Sequence, residues 1–235
     1  MSVGGRRMID IYAKELDGTW FGVAYTGERI VATALNSTRK GVLKQLQGSF
    51  PAKTRHQTVK RESDFARKTI LMLKELHAGN EESKSFALAT EYLSEPTAKV
   101  LETAATIPLG YVASYGDIAR TADTGPRAVG QIMATNPLYP IVPCHRVVGA
   151  DFSLVGYGGG KGPKALQAKL ARLSKEARGF THKKSVPVNG KNLTVYPVEH
   201  ALKKAKKNRS GYPYEQRLLN DKEPSNVARA LGIKA

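Results

Sequence analysis

The spacing of apolar and polar residues changes character near Glu95, and the change divides the chain into two regimes. Before it, Ile9-Asp10-Ile11-Tyr12 and Thr19-Trp20-Phe21-Gly22-Val23-Ala24-Tyr25 are rich in branched and aromatic residues, as strands are, with the turn dipeptide Asp17-Gly18 between them. Arg29-Ile30-Val31-Ala32-Thr33-Ala34 reads as a third strand after Gly27, so the three segments predict a meander. Ser63-Asp64-Phe65 then opens a helix. Ser63 can cap it, Phe65, Ile70, Leu73 and Leu76 supply an apolar face with Leu71 and Met72 beside them, and Gly79-Asn80 stops it. Trp20 and Phe21 are expected to pack within this small α/β unit.

After Glu95 the pattern becomes one of short helices. Pro96 opens one whose apolar positions are Val100, Leu101, Ala104 and Ala105, and Pro108-Leu109-Gly110 ends it. Asp117 to Ala122 and Arg127 to Ala134 predict two more, separated by the turn Thr124-Gly125-Pro126. Helix, turn, helix is an arrangement in which the second helix can enter a DNA groove. Here that helix begins with Arg127 and continues with the small residues Ala128, Val129 and Gly130, which let its backbone come close to a duplex.

Charge strengthens this reading. Among 235 residues, 37 Lys and Arg stand against 20 Asp and Glu, a net charge of +17, which favours a phosphate-bearing partner. No window approaches the roughly 18 consecutive apolar residues of a membrane span, so no membrane partner is expected. Met1 to Arg7 are followed by Asp10, Lys14, Glu15 and Asp17 rather than by an apolar signal region, so a cytoplasmic location is expected. A single cysteine forms no internal disulfide, and the five histidines show no zinc-like spacing with it; neither metal nor cofactor is expected.

That cysteine, Cys144, lies in Pro143-Cys144-His145-Arg146-Val147. A buried cysteine is usually an inert small hydrophobe. Adjacent side chains of a strand point to opposite faces, so His145 can serve Cys144 only if the backbone bends or a water relays the proton. Pro143 makes a bend credible. A histidine oriented by a carboxylate can then take the thiol proton and leave a nucleophilic thiolate.

Taken together, Ile107-Pro108 with Gly110, Ser114-Tyr115-Gly116, Arg127-Ala128-Val129-Gly130, Asn136-Pro137, Pro143-Cys144-His145-Arg146-Val147-Val148 and Gly156-Tyr157-Gly158-Gly159-Gly160 resemble the O6-alkylguanine-DNA alkyltransferase family. The resemblance is strong from Glu95 to Gly160, weaker before it and absent after about Gly179. It implies a ribonuclease H-like α/β N-terminal domain over residues 1–92. A mainly α catalytic domain with a DNA-binding helix-turn-helix follows over 93–179, and 180–235 form a basic extension of unknown fold. It implies single-turnover repair of double-stranded DNA containing O6-alkylguanine by a monomer. Cys144 corresponds to the alkyl acceptor and His145 to the base acting through water. Asn136 braces the turn after the recognition helix, and Tyr115 assists flipping and donates to the departing guanine. Arg127 corresponds to the finger that fills the gap left by the flipped base, with Ala128 and Gly130 on the DNA face. Met133, Tyr139, Val147, Tyr157 and Gly158 correspond to the substrate pocket.

Some positions depart from the family pattern. Counting from Lys164 puts Ala171 at the site of the relay acid, whereas a five-residue insertion aligns Lys169 with the family's lysine and Glu176 with the acid; Glu176 is preferred. Tyr139 stands where a small residue or proline is usual, and the turn before Arg127 is shorter than in the human type. The family's occasional N-terminal zinc site lacks its cysteines. In the extension, Lys183 to Lys234 hold twelve basic and four acidic residues, the basic run 203–209 follows a short helix from Val198, and Pro224 to Gly232 resemble a capped helix. This tail is open to three readings: a phosphate arm, a segment docked on the core, or a disordered appendage. Two functional alternatives are a noncatalytic sensor of alkylguanine, which retention of Cys144 and His145 argues against, and a helix-turn-helix regulator, which the apolar recognition helix disfavours. A cysteine hydrolase ranks below both.

Overall fold

The computed structural model describes residues 8–80 and 87–207. They fall into two compact units divided after Ser94, with the later segment Pro137–Ile141 grouped with the first.

In the first unit β1 (Ile9–Leu16), β2 (Thr19–Thr26) and β3 (Arg29–Asn36) form an antiparallel meander. The turn from β1 to β2 holds Asp17 at φ 50° and Gly18 at φ 74°, the left-handed pair that suits the right-handed twist of a tight hairpin. Helix α1 (Arg39–Gln47) starts where the Thr38 hydroxyl accepts a hydrogen bond from the Gly41 amide at 3.1 Å. It lies so close to the sheet that a Cβ at Gly22 would fall 2.2 Å from Val42 Cγ1, which explains the glycine in the middle of β2. Short strands β4 (His56–Thr58) and β5 (Ala87–Leu88) pair in parallel with β1 and β3, giving the order β4-β1-β2-β3-β5. Helix α2 (Asp64–Ala78) is capped by the Ser63 hydroxyl and closes at Gly79, φ 93°. Phe21 is buried; Trp20 packs half-buried against the core of Ile9, Ile11, Val31, Val42 and Leu46. Segment Pro137–Ile141 joins this unit through Thr33, whose amide donates to Pro137 O at 2.8 Å and whose hydroxyl donates to Tyr139 O at 2.7 Å.

The second unit begins with α3 (Glu95–Ala105), β6 (Tyr111–Ser114), α4 (Tyr115–Thr121) and α5 (Pro126–Ala134). Ser114 ends the strand and caps α4 in one step: its hydroxyl accepts from the Asp117 amide, and the Asp117 carboxylate accepts from the Ser114 amide. Next come β7 (Val147–Val148), α6 (Pro163–Lys175), β8 (Lys184–Val188), β9 (Lys191–Pro197) and α7 (Val198–Lys207). Helices α4 and α7 pack on a four-stranded sheet of order β7-β6-β9-β8, in which β6 pairs in parallel with β7 and antiparallel with β9. Two of the four strands and the last helix therefore come from residues after 179, the stretch whose fold is open in the sequence. Val198, Ala201 and Ala205 of α7 share one core with Leu166, Leu170 and Leu173 of α6, and each such leucine contributes about 2 kcal/mol through burial. The basic run extends past the described residues at Asn208, and the helix expected over 224–232 lies wholly outside them. Among the described residues no helix is long and apolar enough to cross a membrane.

Candidate active site

Pro143 turns the chain out of extended geometry, and Cys144–Arg146 form one turn of 3-10 helix in which the Arg146 amide donates to Pro143 O at 2.8 Å. The bend removes the strand alternation that would send Cys144 and His145 to opposite faces. Cys144 is 8% exposed and lines a cavity of about 630 Å³, and Tyr115, Arg127, Gly130 and Met133 line it too. The turn Tyr157–Gly160 borders the cavity and is closed by reciprocal backbone hydrogen bonds of 2.9 Å. Gly158 and Gly159 at its centre have φ 55° and 78°, values that only glycine adopts readily in succession.

Behind the cysteine lies a buried ionic cluster. His145 Nε2 is 2.7 Å from Glu176 Oε1. Arg146 donates from Nε to Glu176 Oε2 at 2.8 Å, from Nη2 to Oε1 at 2.9 Å, and from Nη1 to Ile107 O at 2.7 Å. Burial alone would raise the Glu176 carboxyl, but its bonds to His145 and Arg146 prevail and hold it at about 2. Burial lowers His145 to about 4 against the pull of Glu176, so the ring is neutral. With Nε2–H given to the carboxylate, Nδ1 carries the lone pair, and it is buried with no hydrogen-bond partner. At Cys144 burial pushes the thiol up, opposed by a hydrogen bond with the Asn136 side chain and by the charges of Lys169 and Arg172. Asn136 Nδ2 also donates to Val142 O at 2.8 Å, tying the end of α5 to the strand of chain that carries the cysteine.

Lys169 is wholly buried and grips three carbonyls, Val147 O at 2.6 Å, Leu154 O at 2.7 Å and Gly156 O at 3.0 Å. Burial lowers its ammonium to about 8, with the nearby Cys144 pulling the other way. Its Nζ stands 5.9 Å from the centre of the Tyr115 ring, and burial and Cys144 push that phenol up to about 12.

Tyr115, Arg127, Gly130, Met133, Cys144, Tyr157 and Gly158 are thus gathered around one cavity; the Asn136 side chain bonds to Cys144, and the next residue along the chain, His145, pairs with Glu176. Glu176 caps the end of α6 and reaches His145; Ala171 lies a turn earlier. Ala128 is half-buried on α5 and is not among the lining residues. Two expected pocket residues, Val147 and Tyr139, are not among those that line the cavity. Val147 is fully buried on β7, with its carbonyl taken by Lys169, and Tyr139 belongs to the segment held by Thr33. Sequence reading assigns no role to Arg146, although it neutralises Glu176. Its only signal is its place beside His145.

Residues 95–178 match the DNA-binding domain of 6-O-methylguanine DNA methyltransferases. Over 162 residues the chain is 30% identical to the methylated-DNA–protein-cysteine methyltransferase of Methanocaldococcus jannaschii, a match covering 68% of this chain and 92% of that protein. The chain belongs to the methylated-DNA–protein-cysteine methyltransferase family. The family member from Pyrobaculum aerophilum is 59% identical over 54 residues, 23% of this chain and 36% of the relative. The O6-methylguanine-DNA methyltransferase of Pyrococcus kodakaraensis superposes with a TM-score of 0.53 at 26% identity, covering 73% of this chain and all of that one. The Mycobacterium tuberculosis OGT crystallised with DNA gives 0.52 at 25% identity, over 72% of this chain and 96% of that one. The match to the family's DNA-binding domain ends at Arg178, so β8, β9 and α7 lie beyond it.

Proposed function

We propose that the chain repairs double-stranded DNA by moving the alkyl group of O6-alkylguanine onto Cys144 in a single irreversible step. The observation that carries this is that Cys144 lines the cavity bounded by α5 while the adjoining His145 is paired with the buried Glu176. A water relays the thiol proton to His145 Nδ1, and Glu176 stabilises the imidazolium that forms. The thiolate attacks the alkyl carbon, the carbon–O6 bond breaks, and its electron pair stays with guanine. Tyr115, whose high pKa keeps it protonated, donates to the departing base. The product thioether has no route back to a thiol, so each molecule acts once.

In this reading α4, the turn after it and α5 are the helix-turn-helix, and Arg127 at the exposed start of α5 fills the gap left by the flipped nucleotide. Ala128 and Gly130 let the helix approach the minor groove. Among the described residues nothing demands glycine at 130, where a Cβ would meet only Tyr115 Cε1 at 3.9 Å; this supports an external reason for it. Met133, Tyr157 and Gly158 bound the base. The meander with β4 parallel to β1 supports a ribonuclease H-like reading of the first unit. The protein acts as a cytoplasmic monomer without metal or cofactor. A noncatalytic sensor has no use for a histidine held by a buried carboxylate.

Intact-protein mass spectrometry after incubation with a duplex carrying one O6-methylguanine tests the proposal. The expected result is a gain of one methyl group per chain, guanine restored in the DNA, and no gain for Cys144→Ala. Tight lesion binding without mass gain would overturn it.

A further inference from the structure

The loop that leads from the Cys144 turn to the cavity lip is held in an unfavourable conformation from outside the family's matched domain. Phe152 and Val155 have φ 66° and 57°, the left-handed region that aromatic and branched residues avoid. Val155 is 48% exposed and lines the cavity. Within the loop, the Gly149 amide donates to Ser153 O at 2.8 Å and the Phe152 amide to Gly149 O at 2.9 Å. From the inner side Lys169 fixes the carbonyls of Leu154 and Gly156. The outer side is held by β9 and α7. Lys204 Nζ lies 2.8 Å from Asp151 Oδ2, and the Phe152 ring packs 5.2 Å from Tyr196 and 4.9 Å from His200, centre to centre. The neighbouring ammonium of Lys204 and the bonds from Ser153 hold the Asp151 carboxyl well below its usual range, in keeping with a formed ion pair.

We infer that β9 and α7 set the shape of the cavity lip: Lys204, Tyr196 and His200 are positioning residues that hold Asp151 and Phe152, and through them Val155, and so select which alkyl adducts the cavity admits. The loop is short: of its left-handed residues Phe152 is gripped by the outer clamp and Val155 stands at the lip three residues on, and between Val147 and Leu154 Lys169 makes no bond to it. Loosening the clamp lets Phe152 relax and moves Val155, the apolar side chain at the mouth. A methyl group is too small to notice this displacement, whereas an aryl adduct is not. This inference rests on the alkyl-transfer reading of Cys144.

The test measures single-turnover transfer rate constants, at saturating protein, from duplexes carrying O6-methylguanine and O6-benzylguanine, and takes their ratio. Asp151→Lys and Lys204→Asp each break the ion pair, and the double variant restores it with the charges exchanged. Each single variant is expected to shift the methyl-to-benzyl ratio about two- to fivefold, and the double variant to return it to the wild-type value. Phe152→Gly keeps the left-handed backbone while removing the ring, with an expected shift of about two- to tenfold. A merely structural role lowers both rate constants together and leaves the ratio fixed. That result, or wild-type ratios in Phe152→Gly and both single variants, overturns the inference while wild-type transfer stands. A wild-type chain that gains no alkyl mass from either duplex overturns the reading beneath it.

Discussion

The residues on the inner side of Cys144 and those on its outer side are held in opposite ways. Inward, His145, Arg146, Lys169 and Glu176 are all less than a tenth exposed, and each is tied to named partners by bonds of 2.6 to 3.0 Å. Outward, Arg127, Gln131, Ala134, Gly158 and Gly159 are exposed, and the lip runs through left-handed backbone at Val155, Gly158 and Gly159. A proton relay works in a dry, rigid setting, where each ion must find its counterpart within the protein. A surface that receives a duplex has to leave its partners outside. The identity of an inner residue is therefore explained by its neighbours, and that of an outer residue by a molecule the fold does not contain.

The strongest way to break this contrast is Glu176→Gln. It leaves the Arg146 guanidinium buried without a counter-charge, and a loss of about 3–5 kcal/mol is expected, together with slow transfer. Denaturant unfolding measures the first and single-turnover kinetics the second; unchanged stability would show that Arg146 is served by other groups. Acid challenges the same cluster in the wild type. Glu176 sits at about 2 when folded against an ordinary 4.5, so the unfolded chain binds this proton first as the pH drops. Its stabilisation is full above 4.5 and is lost as pH falls toward 2. His145, at about 4 against 6.5, acts in the same sense one step earlier, because it is neutral when folded and protonated when unfolded. The melting temperature should therefore decline from about pH 6.5 downward, and a flat profile to pH 4 would contradict the neutral histidine.

The outer surface should answer in the other currency, rate and affinity without stability. Arg127→Ala is expected to lower transfer from duplex DNA by about tenfold, the loss of one charged contact, while the melting temperature stays within a degree or two. Transfer from the free base O6-benzylguanine, which needs no flipping, should be unaffected. Gly130→Ala gives the smallest and sharpest effect: about 0.5–1 kcal/mol more stable, since alanine is the better helix former, yet weaker on DNA. Tighter or unchanged duplex binding by that variant would remove the minor-groove explanation for the glycine.

Legibility in the sequence follows the same division. Strands β1 to β3 are readable because each is a dense apolar run set off by a tight turn, and α2 because Ser63 and Gly79 mark both of its ends. Helix α1 shows little, since only Val42 and Leu46 of its nine residues are buried. The β8–β9 hairpin carries a plain signal, Asn189-Gly190 between Val186, Val188, Leu193 and Val195, which the surrounding lysines mask. At the site, Cys144 and His145 stand out as a dipeptide, whereas Glu176 is reached only through the family resemblance, by allowing a five-residue insertion that aligns Lys169 and Glu176 with the family's lysine and acid. The three bonds of Lys169 are invisible to any motif because their acceptors are backbone carbonyls brought together only by folding. The same holds at Tyr139: its place in the sequence, three residues after Asn136, says nothing of the attachment of its carbonyl to Thr33.

The placement of β9 between β6 and β8 bears on the order in which this protein is made. Tyr111 and Val112 pair with Pro197 and Tyr196, across a stretch of chain that includes the cysteine turn and the whole of α6. Closing so long a loop is slow. A chain emerging from the ribosome through Arg178 holds every residue of the matched domain, yet its strand before Ser114 still lacks the neighbour that completes the sheet. The sheet beside the cysteine turn is thus completed late in synthesis, and the amide of Val112, which faces Tyr196, should gain protection from hydrogen exchange only when β9 arrives.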